Sequence, residues 1–409
     1  LQLPPSPPRS KTVVSIFGIN PYRIGAFEIY ARELSAQLGE CGWNSVLCYL
    51  ALPPAPVRRF LDLPNVSLEV VEDSWKISWK AMRQMGRILK QYRPEIVHLY
   101  FTGFVSAYPW LSRLRSAQQV FFTDQGSRPE GYVPRRHPYW KRLLLRFVNR
   151  PISKVICVSN YGYRSFTATG LLPENRFAMI YNSVDIARAT QGLRSGPAFR
   201  RQYGIAEDRL VVTQVSWLIP EKGVADLLGA ARLVVAEEPR AHFVLVGDGS
   251  HAAEYKRMAS EYGLLDRVTF TGVVEDPLAQ GVYAATDVAC QMSRWEEVFG
   301  YVIAEAMASY RPVVGTRVGG IPELIEEGRT GYIVERGDIQ AMADRLLRLL
   351  RDPALREKMG FAGRQRTEEK FHHQKNVAQV LDLYGLGRPL DTAERLNVLP
   401  ASNVVEKFE

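Results

Sequence analysis

Short β-branched runs alternate along the chain with stretches whose apolar residues fall at helical spacing. Thr12 to Phe17 precedes a helical pattern at Ala26 to Glu40, and Ile96 to Leu99, Val120 to Thr123 and Val155 to Val158 repeat the theme. A second series opens at Leu210 to Ser216 and continues through His242 to Val246, Val268 to Thr271, Asp287 to Cys290 and Pro312 to Gly315. This rhythm predicts parallel strands joined by crossover helices. Between the series, Ala187 to Gly204 is polar and lacks strand character, which sets a boundary near residues 186 to 205.

The predicted fold class is α/β, with two doubly wound, Rossmann-like domains facing each other across a cleft. A leader spans 1–10, an N-terminal domain 11–186 and a C-terminal domain 187–374. Helical patterns at Ile339 to Leu350, Pro353 to Glu369 and Lys375 to Leu383 close the chain. The last segment, 375–409, holds a helix and an aperiodic tail, with packing back on the N-terminal domain as one arrangement. Ligands of such sheets bind outside the carboxyl ends of the strands, so the chemistry is expected in strand-to-helix loops at the cleft.

Composition narrows this picture. At 409 residues, with 46% hydrophobic and 23% charged, the chain can fill two cores of ordinary size. No apolar run approaches the roughly 20 residues of a membrane span, and the stretch Leu143 to Val148 is broken by Arg146. The start Leu1-Gln2-Leu3-Pro4-Pro5-Ser6-Pro7-Pro8 reads as a disordered proline-rich leader rather than a secretory signal. Cys41, Cys48, Cys157 and Cys290 form no CxxC pair and sit in apolar surroundings, which favours free thiols in a reducing cytoplasm.

The formal charge of +9 is concentrated between Arg128 and Arg150, where Arg135, Arg136, Lys141, Arg142 and Arg146 interleave with Tyr132, Tyr139, Trp140 and Phe147. Such a patch suits a phosphorylated acceptor, or peripheral docking to anionic lipid at the inner face of a membrane. A solvated basic face is the plainer alternative. Nucleic acid is disfavoured as a partner, because no recognised binding module accompanies the charge.

The segment Ser293 to Ala308 carries the most chemistry. A helix is predicted to start near Phe299 or Gly300, with its first amides free to meet an anion or a sugar oxygen. Glu297 then lies just before the helix and Glu305 one to two turns inside it. Carboxylates accept hydrogen bonds from vicinal hydroxyls, so Glu305 suits a ribose and Glu297 a transferred sugar. Two acids at an exposed helix start are also what the helix dipole favours without any ligand. Pro220 fits a first helical position, which puts Lys222 in the first turn, where a lone cation is unfavourable and an anion is wanted. Gly319-Gly320 permits close backbone approach before a short helix, a plausible phosphate turn, whereas turn chemistry alone explains Gly247-Asp248-Gly249.

Glu297 and Glu305, separated by seven residues with Phe299-Gly300 between them, resemble the E-x(7)-E signature of retaining family-four glycosyltransferases of the GT-B fold. Ile219 to Gly223, Leu245 to Gly249, Phe270 to Gly272, Pro312 to Thr316, Val318 to Glu323 and Thr330 to Val334 are similar to further blocks of that family, in its order. The resemblance implies a nucleotide diphosphate sugar, a UDP- or GDP-sugar, as donor substrate, with Lys222 beside its diphosphate. It implies a base near Gly272, Val273 and Val274, and a hydroxyl-bearing acceptor on the N-terminal domain. Gly25-Ala26-Phe27-Glu28 looks like the family's G-G-x-E loop, with Ala26 at the second glycine, and Pro94 to His98 resembles a strand ending in histidine. His98 is thus a candidate acceptor contact, although a satisfied core histidine explains it equally.

Two departures stand out against the resemblance. Trp217 occupies the place of an arginine that meets the diphosphate, and Gln125 that of a histidine that contacts the sugar. Arg128 is a further candidate contact, and a cation from its segment would compensate for the missing arginine. Tyr181-Asn182-Ser183-Val184-Asp185 resembles the turn leading into the linker, where Asn182 and Asp185 suit a structural role. With no DxD pair, neither a metal nor another cofactor is expected. The expected reaction is transfer of a hexosyl group with retained configuration, the leaving phosphate taking the acceptor proton. A nucleotide-sugar-binding protein with reduced or lost transferase activity is the alternative.

Overall fold

The computed structural model describes residues 11–72, 78–115 and 117–387. The leader over 1–10 and the tail beyond 387 lie outside the described residues. The first sheet contains β1 (Thr12–Phe17), β2 (Asn44–Tyr49), β3 (Val66–Val70), β4 (Ile96–Tyr100), β5 (Gln119–Asp124), β6 (Lys154–Cys157) and β7 (Phe177–Met179). Its strands run parallel in the order β3-β2-β1-β4-β5-β6-β7. The second contains β8 (Leu210–Val215), β9 (Ala241–Val246), β10 (Val268–Gly272), β11 (Val288–Gln291), β12 (Val313–Thr316) and β13 (Gly331–Val334), parallel in the order β10-β9-β8-β11-β12-β13.

Helices cover both faces of a parallel sheet, so a central strand must be apolar at successive positions. Val13, Val14, Ile16 and Phe17 of β1 are each at most 1% exposed. β2, β3 and β7 are additions to the sequence reading. β7 is three residues long and β3 is only partly buried at every position, so neither carries a long apolar run. The polar stretch after Asp185 folds as two short helices, Ile186–Gly192 and Gly196–Gln202.

Topology fixes where a ligand can sit. β1 lies between β2 and β4, and β8 between β9 and β11, so strand order reverses at both. The loops following these two strands therefore splay into open crevices. They face one another: the Tyr22 ring in the loop after β1 lies 5.6 Å from the Trp217 ring in the loop after β8.

Several contacts fasten the halves. Arg128 and Glu296 exchange backbone hydrogen bonds, both 2.9 Å long. Glu323, in the short helix Ile321–Leu324, accepts the amides of Asn160 at 2.8 Å and Tyr161 at 2.6 Å, at the start of the helix Asn160–Ala168 in the other half. A carboxylate there satisfies amides without intrahelical partners and lies at the positive end of the helix dipole. The chain then returns, and its helix His373–Tyr384 packs on the helix Ala26–Glu40.

Replacing Glu323 with alanine is expected to destabilise the protein by about 1–2 kcal/mol, the usual worth of a helix cap. Denaturant unfolding measures this, and small-angle scattering should show a larger radius as the halves loosen. An unchanged midpoint and an unchanged radius together would refute the role.

Candidate active site

A cavity of about 320 Å³ lies between the two sheets, lined from both halves by residues that include Tyr22, Arg23, Gln125, Trp217, Lys222 and Glu297. At its floor Glu297, 7% exposed, receives three side-chain donors. Lys222 Nζ lies 2.6 Å and Ser293 Oγ 2.7 Å from Oε1, and Ser127 Oγ reaches Oε2 at 3.0 Å from the opposite half. Burial pushes the Glu297 carboxyl up, but the Lys222 ammonium and the hydrogen bonds from Lys222, Ser293 and Ser127 outweigh it and hold the group below its ordinary value. The carboxylate is charged at neutral pH.

Lys222 is held by its backbone. It ends a single 3-10 turn, Pro220–Lys222, ahead of the helix Val224–Glu237, rather than lying in that helix's first turn as expected. Gly223 separates the two at φ +64°, and a Cβ there would stand 1.7 Å from the Met292 carbonyl oxygen. Only glycine combines that conformation with that approach. The buried Gln214 side chain braces the turn, donating to the Lys222 carbonyl at 2.9 Å and accepting from the Met292 amide at 3.0 Å. Glu297 supplies one anion to Lys222, which, unlike Arg128, also lines the cavity.

Phe299 and Gly300 line the cavity as well, and the helix starts at Tyr301, one residue beyond the expected position. Helix geometry leaves the first amides of a helix without internal partners, and Gly300, Tyr301 and Val302, at this helix start, line the cavity. Glu305 stands deeper, outside the lining, with Tyr283 donating its hydroxyl to Oε2 at 2.5 Å. Burial raises the Glu305 carboxyl to about 7, against the lowering effect of the Tyr283 hydrogen bond and of the Arg23 charge. Val273 lines the cavity at 49% exposure, whereas Val274 is buried and Gly272 closes β10 with its carbonyl bonded to the Gly247 amide at 2.9 Å.

Other expected contacts are placed elsewhere. His98 is a core residue, fully buried in β4. Its Nδ1 pairs with the hydroxyls of Tyr384 at 2.5 Å and Tyr100 at 2.8 Å, and its Nε2 with Thr123 at 2.7 Å. Burial depresses its basicity, so it is a neutral, satisfied histidine away from the cleft. Arg128 is neutralised by an ion pair with Asp124 and does not line the cavity, so its charge is committed to the loop rather than available to an acceptor.

The amides of Gly319 and Gly320 are also committed, donating to Glu296 Oε2 at 2.7 Å and the Glu297 carbonyl at 2.6 Å. The turn expected to meet phosphate instead packs on the Glu297 backbone: a Cβ at Gly319, φ +54°, would stand 2.0 Å from the Glu297 oxygen. Gly25 and Ala26 start the first helix without lining the cavity, and their neighbours Tyr22, Arg23 and Phe27 take that place. Gln125 reaches the wall, but its amide is paired reciprocally with that of Asn182 at 2.8 and 2.9 Å. Asn182 lines the cavity, while Asp185 caps the helix after it through the Arg188 amide.

Arg23 is the functional candidate that sequence reading missed. It enters the cavity from the loop after β1, and its charge acts on Glu28 and on Glu305 across the cleft. The available signal was its position, a cation two residues before Gly25 in the loop at the first strand's end. Ser127 had no signal of its own, because Glu297 is 170 residues away, and Gln214 had none for its contact with Met292, 78 residues away.

Two sequence families match the chain: that described as glycosyl transferases group 1, over residues 196–366, and glycosyltransferase family 4, over residues 27–188. The chain is 33% identical over 375 residues to the N-acetyl-alpha-D-glucosaminyl L-malate synthase of Bacillus anthracis, covering 90% of this chain and 96% of that one. A GDP-mannose-dependent alpha-(1-6)-phosphatidylinositol monomannoside mannosyltransferase of Mycolicibacterium smegmatis is 30% identical over 248 residues, covering 59% of this chain and 64% of its own. Among solved structures, Anabaena Alr3699/HepE in complex with UDP and glucose superposes with a TM-score of 0.74 at 20% identity, covering 92% of this chain and 99% of that one. The last likeness supports the two-domain GT-B fold.

The environment of Glu305 makes stability depend on pH. Its value rises on folding from 4.5 to about 7, so its contribution is fully present below the unfolded value and is lost as pH rises through the folded one. The melting temperature is expected to fall relative to that of Glu305→Gln between about pH 5 and 8. Thermal scans of both proteins check this, and a constant difference across the range would overturn it.

Proposed function

Because the chain belongs to the family-four glycosyltransferases of the GT-B fold, we propose that its cleft binds a UDP- or GDP-hexose and transfers the hexosyl group, with retained configuration, to an acceptor hydroxyl. The acceptor is a glycan, a lipid-linked molecule or a small molecule held by the N-terminal half. The observation that carries this reading is the convergence of Lys222, Arg23 and the first residues of the helix Tyr301–Ala308 on one cavity that Glu297 also lines.

In this reading the diphosphate lies between Arg23 and Lys222, facing the free helix amides, where cations and oriented amides stabilise the charge that develops on leaving. Glu297 accepts hydroxyls of the transferred sugar. Glu305, which stands behind the residues that line the cavity, is assigned to the ribose on the E-x(7)-E pattern, and a diol donating to it favours its ionised form. The bond from the anomeric carbon to phosphate breaks as the acceptor oxygen bonds to the same face, and the acceptor proton passes to the leaving phosphate oxygen. The nucleoside diphosphate departs. Arg23 and Lys222 supply the positive charge without a metal ion.

The reading draws support from the names of two relatives: one is an N-acetyl-alpha-D-glucosaminyl L-malate synthase, the other a GDP-mannose-dependent phosphatidylinositol monomannoside mannosyltransferase. A second reading, donor binding with little turnover, is favoured by Trp217 in place of a cation and by the closed Gln125–Asn182 pair.

Thermal-shift screening of nucleotide sugars, followed by turnover assays, tests both readings. Lys222→Ala and Arg23→Ala are each expected to lower kcat by about 10²-fold, as for loss of one charged donor, while Glu305→Ala chiefly weakens nucleotide affinity. Unchanged kinetics in all three would sink the assignment, and tight donor binding without turnover on any acceptor would favour the second reading. Trp217→Arg should raise turnover if the indole only replaces a cation, and lower it if the indole touches the donor.

A further inference from the structure

The helix Tyr139–Val148 is turned inside out. Tyr139, Trp140, Leu143, Leu144 and Phe147 fall on one helical face, and they are 49–68% exposed. No residue of the helix is buried. The cations Arg142 and Arg146 lie on the protein side: Arg146 Nε donates to the Gly170 carbonyl at 3.3 Å, and the Arg142 side chain passes close to Gly170.

This orientation is fixed by contacts on the inner side. Leu145 packs on the N-terminal core, and Trp110 Nε1 donates to the Val148 carbonyl at 2.7 Å. The Trp110 and Phe147 rings stand 5.8 Å apart, which brings the helix Tyr108–Arg115 alongside, with Leu114 76% exposed. Exposed Arg135, Arg136 and Arg150 flank the helix, and no Asp or Glu occurs from 131 to 150.

We propose that this face docks on a bilayer containing anionic phospholipid. Aromatic and aliphatic side chains clustered on one exposed face gain by entering an acyl boundary, where tyrosine and tryptophan keep their polar ends at headgroup level. The flanking arginines then meet lipid phosphates. A second copy of the chain is a poorer occupant, because a twofold contact through this helix would bring like-charged arginines together with no acid on the segment to offset them.

The segment leading to the helix starts at the cleft wall, where Ser127 bonds Glu297. The inference deepens the transfer reading by naming a lipid surface as partner, yet it does not need turnover.

The test is co-sedimentation of the full chain with phosphatidylcholine vesicles, with and without phosphatidylglycerol. Binding is expected on the anionic vesicles, weakening with salt, and a double variant carrying Trp140→Glu and Leu144→Glu should lose it at least about tenfold. Arg135→Glu with Arg136→Glu should remove the preference for anionic vesicles. Thermal shift with UDP and GDP checks that the variants keep the wild-type nucleotide response, so failure of donor binding is read separately from failure of docking. Absence of vesicle binding by the wild type, or binding indifferent to Trp140→Glu and Leu144→Glu, would overturn the proposal. So would a wild-type dimer, seen by sedimentation velocity, that the same double variant dissociates.

Discussion

A carboxylate withdrawn from water is costly unless charge and hydrogen bonds are brought to it, and the Glu297 side chain is where this molecule meets that cost. Lys222 and Ser293 come from its own half and Ser127 from the other, so one ionised group is satisfied only when both domains and two separate loops are in place. The surrounding construction serves this arrangement. Gly223 lets the Lys222 turn press against Met292, Gln214 braces it, and Gly319 lets the following loop close over the Glu297 backbone. Removing either charge of the pair would strand the other, which makes the pair a point of specificity more than a source of stability.

Charge around the cleft is arranged differently from the pattern that the family's motifs suggest. Trp217 stands at the position of the missing arginine and leans toward Tyr22, while Arg23, next to Tyr22, brings a cation from the opposite side. The cationic side chains available to a diphosphate in the cavity wall therefore belong to both domains. The relative placement of the halves, set by the backbone hydrogen bonds between Arg128 and Glu296 and by Glu323 at a helix start, thus controls the electrostatics as well as the shape of the site.

Much of the site was legible in residues that act near their own position in the chain. Glu297, Phe299 and Gly300 belong to one loop and helix start, and a helix start exposes amides wherever it occurs. Residues whose role depends on a distant partner were less legible. His98 has the chemistry of a ligand contact but is consumed by Tyr384, 286 residues away, and by Thr123. Arg128 is a different case, because the Asp124 that holds it is only four residues away and it was the burial of that pair that the sequence did not show. Gly319 and Gly320 form the close backbone approach expected of them, directed at the backbone of Glu297 and Val298.

The sequence by itself determined the α/β class, the two series of buried parallel strands and the loops that would carry chemistry, because alternating apolar runs and helical patterns are local and must bury the same faces in any compact arrangement. Tertiary structure alone decided which cation faces which carboxylate. Electrostatic pairing depends on distance and burial in space, so Arg23 becomes part of the cleft and Arg128 does not, although both are single arginines in loops after a strand.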